Sequence, residues 1–308
     1  MSVIHRRTAV AVSLVLIISI ILALFAIVLV ERSLPVVLFV QDGAYEETVW
    51  PWTRASFMET VRDAGFSCFA VTVDAPALTG PGGLESEIDD LILRYEPKVV
   101  IFSPLVSSLM ASSSSVAELF DGEPLFVATG TVSDDGRFDI VCTPRSGAGW
   151  DDAAAYLAVG DDEPPYSVAL LFTQGDEAGE VAKAAFESAS EGRNQELFVR
   201  EKAPDSGSKW AANVQDELAR HSALQVMALP MEGFATLFET DGGLSWIVDA
   251  RYASIVPERA LIGVVADDLG ATFARILAQV DTGAVDGIGK YPLVRTFYPR
   301  RTGLRSLF

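Results

Sequence analysis

Two histidines and two cysteines are all that this chain of 308 residues brings to imidazole and thiol chemistry. His5 precedes an apolar run, and His221 closes a predicted helix, where an imidazole sits well against the negative end of the helix dipole. Cys68 and Cys142 stand alone in strand-like stretches, "SCFAVTV" and "FDIVCTP", without Cys-x-x-Cys or Cys/His spacing. Both read as small buried hydrophobes, no metal site is expected, and whether they bond to each other stays open. The chain has no Gly-x-Ser-x-Gly elbow and no phosphate loop ending in Gly-Lys-Ser/Thr, and "TGPGG" and "SGAGW" lack the spacing of a dinucleotide fingerprint. Acidic pairs such as Asp89-Asp90 and Asp151-Asp152 read as solvated helix starts and loops rather than a glycosidase pair. The expectation is therefore no catalytic residue, no cofactor and no enzyme.

Binding chemistry is better represented. In open parallel α/β sheets, ligands sit beyond the carboxyl ends of strands, where loops converge and helix N-termini point. By that rule Asp42 follows the first strand, with Tyr45, Trp50 and Trp52 in the loop after it. A carboxylate beside flat aromatic faces suits a ring or a sugar; alternatively the two tryptophans staple the loop to the domain. Ser103 follows the third strand and Thr129 and Thr131 the fourth, either as hydroxyls for a ligand or as ordinary caps. Arg145 and Trp150 lie where the first half of the chain passes into the second, Arg145 either clamping an anion or pairing with a neighbouring acid. Thr173 and Asp176 follow one strand of the second half, Glu232 another, and Asp249 with Arg251 a third. Arg251 would join the site or neutralise Asp249. Lys290 is a further cation late in the chain.

The elements that position these residues alternate apolar strands with amphipathic helices, the pattern of an α/β protein with parallel sheets. "PVVLFVQDG", "SCFAVTVD", "KVVIFSP", "PLFVATG" and "FDIVCTP" are the first strands. Leu84, Ile88, Leu91 and Ile92 recur at i, i+4, i+7 and i+8, predicting a helix with one buried stripe. A weaker helix is expected around Ser107 to Phe120, and "GWDDAAAYLAVG" opens a second series through "YSVALLFT", "QELFVREK", "ALQVMALP", "LSWIVDA" and "ALIGVV". Two such series predict two Rossmann-like lobes.

Ala9 to Val30 carries no charge, and about 20 apolar residues suffice to cross a bilayer as a helix. No small-x-small cleavage site follows it, so the segment reads as an uncleaved transmembrane signal anchor. His5, Arg6 and Arg7 precede it, which places the N-terminus in the cytoplasm and residues from about 33 onward outside the cell membrane, in the periplasm. The formal charge of -19, with 42 acids against 23 bases, argues against nucleic-acid partners.

The stretch "WIVDARYASIVPERALIGVVADDLGATFARIL" resembles the basic membrane protein family of nucleoside-binding proteins. In that family a similar strand end leads through an aromatic-containing loop and a Pro into an apolar strand and a helix. The wider order of elements is similar to the type I periplasmic binding protein fold, whose two lobes exchange strands across a hinge. The resemblance singles out Asp249 as the leading ligand contact. It implies that "ALIGVV" carries the chain back to the first lobe, that the helix from Asp267 to Val280 packs there, and that "GIGKYPLV" crosses again or finishes the sheet. The lobes expected are residues 33–144 with 261–308, and residues 145–260, after an anchor in residues 1–32. The chain lacks the family's lipoprotein cysteine and the Asn-containing continuation of its first loop.

The function expected is capture of a small polar ligand, nucleoside- or sugar-like, between the lobes, for delivery to a membrane permease or for sensing. The alternative is a degenerate binding fold, without ligand, that serves as a protein-interaction scaffold. The basic ending "YPRRTGLRSLF" fits a docking role or a frayed terminus.

Overall fold

The computed structural model describes residues 17–21, 34–74, 83–112, 124–131, 138–159, 167–193, 195–203, 209–221, 223–231, 233–238, 243–281 and 289–300. The first series runs β1 (Val36–Asp42), α1 (Gly43–Thr48), α2 (Trp50–Asp63), β2 (Ser67–Val73), α3 (Gly83–Tyr95), β3 (Val99–Phe102), α4 (Pro104–Ser112), β4 (Leu125–Thr129) and β5 (Ile140–Pro144). The second runs α5 (Trp150–Val159), β6 (Ser167–Thr173), α6 (Glu177–Ala189), β7 (Glu196–Lys202), α7 (Lys209–Arg220), β8 (Ala223–Ala228), β9 (Ser245–Asp249) and β10 (Leu261–Asp267), with a 3-10 turn over Ala250–Ile255 between the last two. Helix α8 (Leu269–Asp281) and strands β11 (Gly289–Leu293) and β12 (Arg295–Pro299) follow.

The strands form two six-stranded sheets, β11-β5-β4-β3-β1-β2 and β12-β10-β9-β8-β6-β7. All pairs are parallel except β10 with β12. Central strands are apolar on both faces, as helices covering both sides of a parallel sheet require. Val37 to Val40 of β1, all of β3 and Val168 to Phe172 of β6 are fully buried. The stripe of α3 is inward as predicted, with Leu84, Ile88, Leu91 and Ile92 buried.

The strand expected to return to the first lobe does not do so. β10 pairs with β9 in the second sheet, Val264 opposite Val248, where Leu261, Val264, Val265 and Ala266 are buried. The return comes one element later. Helix α8 packs on α2, the Leu269 N–H donating to Thr53 Oγ1 at 2.9 Å and Phe273 meeting Phe57 edge-on at 5.8 Å. β11 then completes the first sheet beside β5, and β12 crosses once more to the second. The second sheet thus holds both β10 and β12, inside the stretch expected in the first lobe.

One further expectation changes. The stretch after β1 is helical rather than a loop, because Asp42 caps α1 by accepting from the Tyr45 N–H at 3.0 Å, and α2 begins at Trp50 with a proline in its first turn. The cysteine pairing left open by the sequence is decided by the sheet: both thiols are free, since Cys68 on β2 and Cys142 on β5 are separated by β1, β3 and β4, and Cys142 is buried while Cys68 is half-buried. Most of the expected anchor, Ala9 to Val30, lies outside the described residues; residues 17–21 are helical, and no helix among the described residues is long and apolar enough to cross a membrane.

Candidate functional site

The carboxyl ends of both sheets converge on one cavity of about 530 Å3. The first lobe contributes Asp42 at the end of β1, Ala44, Tyr45, Thr48 and Val49 from α1 and its end, Pro104 and Leu105 after β3, Gly130 and Thr131 after β4, and Pro144 and Leu293 at the ends of β5 and β11. The second lobe contributes Arg251 after β9, Asp267 at the end of β10 and Arg295 at the start of β12. Because β12 runs antiparallel to β10, Arg295 is the register partner of Asp267. Aliphatic walls with a few convergent polar groups are the usual make-up of a small-molecule site.

On the first-lobe side the strand order reverses between β1 and β3, and Asp42 and Ser103 meet there. Asp42 Oδ2 accepts from Ser103 Oγ at 2.8 Å while Oδ1 caps α1. Asp42 is buried yet lines the cavity, and these two bonds fix the position of its carboxylate. Tyr45 is 6% exposed, and its hydroxyl has no hydrogen-bond partner among the described residues. Burial, with the charges of Asp267 and Asp42, raises its pKa well above the usual phenol value.

On the second-lobe side, three charges interlock. Asp249, 1% exposed, accepts from the Arg251 backbone N–H at 3.0 Å, Arg251 Nε at 2.8 Å and Arg251 Nη2 at 2.9 Å, and its Oδ2 also meets Arg295 Nη2. Arg295 Nε lies 3.3 Å from Asp267 Oδ1. Burial alone would raise the Asp249 pKa, but the hydrogen bond from Arg251 and the charges of Arg295 and Arg251 outweigh it and hold the carboxyl below its ordinary range. Asp267 goes the other way: burial raises it and Asp249 adds to the rise, against the opposing charge of Arg295.

The sequence nominations divide accordingly. Asp42, Tyr45, Thr131 and Arg251 line the cavity. Asp249 is outside the lining and is ion-paired with Arg251 and Arg295. Trp50 is a core residue stacked on Phe39 at 5.0 Å, and Trp150 is 1% exposed in the second-lobe core. Both fail as ligand contacts because they are the largest apolar side chains at their helix starts and drop into the packing. Trp52 sits against Tyr298, at 6.4 Å between rings, away from the cavity lining. Ser103 serves Asp42, and Thr129 Oγ1 donates to the Phe102 carbonyl at 2.7 Å, tying β4 to β3. Thr173 does not line the cavity, and Asp176 caps α6. Arg145 and Lys290 are exposed and outside the lining, and Glu232 lies outside the described residues.

The other lining residues carry no nomination from the sequence, Asp267 and Arg295 being the charged ones among them. The signal for Asp267 was present: it ends an apolar strand, "LIGVVAD", by the same rule that chose Asp42 and Asp249. Arg295 carried no such signal, because only the antiparallel return of β12 brings its side chain to this end of the sheet.

No protein-family model matches the sequence, and no curated protein matches it. Among solved structures, the chain is similar to an ABC transporter system solute-binding protein from Conexibacter woesei, at 15% identity over 87% of this chain and 88% of that one, with a TM-score of 0.57. It is similar to an ABC transporter solute-binding protein from Bradyrhizobium sp. BTAi1 crystallised with bis-tris, at 14% identity over 90% of each chain and a TM-score of 0.50. A transcriptional activator of the comK gene from Bacillus halodurans matches at 11% identity over 88% of this chain and 92% of that one, with a TM-score of 0.52. With two parallel-sheet lobes joined by crossing segments around a cavity, the chain has the fold of the type I periplasmic binding proteins.

Proposed function

We propose that this protein is a membrane-anchored, extracytoplasmic solute-binding protein that captures a small polar molecule, nucleoside- or sugar-like, between its lobes. The observation that carries the reading is the cavity at the carboxyl ends of both sheets, lined from one lobe by Asp42 and Tyr45 and from the other by Asp267, Arg251 and Arg295. The buried Tyr45 hydroxyl has no partner among the described residues, an arrangement that costs free energy, and a side-chain shift on closure that lets a ligand accept from it would recover that cost. The lobes touch through α1 and the 3-10 turn Ala250–Ile255, and they are joined by short crossings, an arrangement suited to hinge closure over a ligand. Residues 9–30 would hold the domain at the membrane, where the ligand is passed to a permease or its presence is sensed. This reading is of binding and includes no covalent step.

The test is thermal unfolding of the full chain in detergent against nucleosides, sugars, amino acids and short peptides. Selective binding raises the midpoint by mass action. A shift with nucleosides or sugars supports the reading. No shift with any class, from a chain that unfolds cooperatively, removes it in favour of a scaffold without ligand.

A further inference from the structure

We propose that the strand-entry end of the first lobe rests on the lipid surface of the membrane that holds residues 9–30, with Leu93 and Phe69 inserted at headgroup depth. This rests on the reading of that segment as an anchor. β1 starts at Val36, only six positions after Val30. At roughly 3.5 Å per residue, that connection spans about 20 Å even when fully extended. Its inner end is fixed to the sheet: the Pro35 carbonyl accepts from the Ser67 N–H at 2.9 Å and the Val36 carbonyl from the Lys98 N–H at 2.8 Å. The starts of β2 and β3 and the last turns of α2 and α3 therefore gather where the chain leaves the bilayer. The cavity lies at the opposite end of the sheet, so this contact leaves it open.

That end carries what an interfacial contact needs. Leu93, near the C-terminus of α3, is 77% exposed, more than any other large apolar side chain among the described residues. Phe69 is exposed beside Tyr95, with ring centroids 4.9 Å apart. Arg62 and Arg94 are exposed in the last turns of their helices, and Asp63 and Glu96 balance them, so this end is nearly neutral in a chain of formal charge -19. Apolar side chains sink below the headgroups while arginine stems keep their charge at the surface. The two edge strands also differ. β2, "SCFAVTV", has no charge, whereas β7, "ELFVREK", has four charged residues. Edges facing water are normally protected by charge. The unprotected edge belongs to the lobe that the proposed anchor holds near lipid, and the net charge of the chain opposes a second copy as its cover.

The test uses the full chain in phosphatidylcholine vesicles containing brominated lipid. A fluorophore is attached through Leu93→Cys, or through Glu201→Cys on the far lobe as reference, in a Cys68→Ala, Cys142→Ala background whose cooperative unfolding is checked. Hydrogen exchange of the unmodified chain over residues 67–70 and 91–95, in vesicles against detergent, gives an independent readout. Alkaline carbonate extraction is run alongside. Retention in the bilayer, several-fold stronger quenching at position 93 than at 201, and slowed exchange in those two segments support the proposal. Retention with equal quenching and unchanged exchange overturns it while leaving the anchor intact, as does protection that follows chain-to-chain cross-linking. Extraction by carbonate overturns the anchor reading and this proposal with it.

Discussion

Arg295 joins Asp249 and Asp267, the carboxylates that end β9 and β10, and it does so from the strand that follows the last passage between the lobes. The residue that closes the second-lobe wall of the cavity is thus also the residue that fixes where the chain re-enters that lobe. Asp249 is 1% exposed, whereas Arg251, its other partner, has a side chain 60% exposed.

That asymmetry predicts unequal mutants. Arg295→Ala leaves a buried carboxylate short of its buried partner, a change that costs about 3–5 kcal/mol. Arg251→Ala removes a cation whose side chain is 60% exposed and leaves Asp249 paired with Arg295, so it is expected to cost less. Urea unfolding of the two variants measures the difference, and equal losses would contradict the geometry.

The two carboxyls also give opposite pH slopes. The folded-state pKa of Asp249 is lowered, so its stabilisation is present above the unfolded value and is lost as pH falls through the folded one. The folded-state pKa of Asp267 is raised, so its contribution is complete below the unfolded value and is lost as pH rises through the folded one. Stability measured against pH should therefore fall on the acid side of the ordinary carboxylate range because of Asp249. It should also decline just above that range because of Asp267. Asp267→Asn is expected to flatten only the second slope.

Gly149 sits at the end of the first passage between lobes with φ of +79°, and a Cβ there would come within 2.9 Å of Val265 Cγ1 and 3.1 Å of the Arg295 carbonyl carbon. Gly149→Ala is predicted to destabilise by more than about 1 kcal/mol through backbone strain and this contact. Differential scanning calorimetry against Gly192→Ala, whose φ is +78° but which meets nothing within 4 Å, separates the clash from the strain.

Burial pushes both cysteine thiols up to about 12. Little thiolate forms at neutral pH, so reaction with a disulfide reagent should be slow in the native protein and should release two equivalents promptly after denaturation. Fast labelling of the native chain would contradict the burial of Cys142.

Much of this fold is legible in the sequence because parallel strands buried on both faces announce themselves as unbroken apolar runs: VVLFV, VVIF and SVALLF need no partner to be recognised. What the runs do not encode is membership of a sheet. "LIGVV" reads equally well as the last strand of one lobe or the first of the other, and only pairing with β9 decides. The site follows the same division. Asp42, Tyr45, Thr131 and Arg251 came from the strand-end rule, which is local. Trp50 and Trp150 were misplaced because an aromatic side chain beside a polar loop has the same sequence signature whether it faces a ligand or the core. Arg295 depends on an antiparallel return that no local pattern marks.

The account stands most directly on binding in the cavity itself, measured by calorimetric titration of whichever compound class shifts the unfolding midpoint into the unaltered chain, Tyr45→Phe and Leu105→Trp. The account predicts one site, with affinity weakened roughly tenfold or more in Leu105→Trp, which intrudes on the cavity from the first-lobe wall, a change equivalent to about 1.4 kcal/mol. In Tyr45→Phe it predicts weaker binding together with an unligated stability that is equal or higher, since the unmatched hydroxyl is gone. Unchanged affinity in both variants would place the ligand elsewhere and contradict the interlobe site.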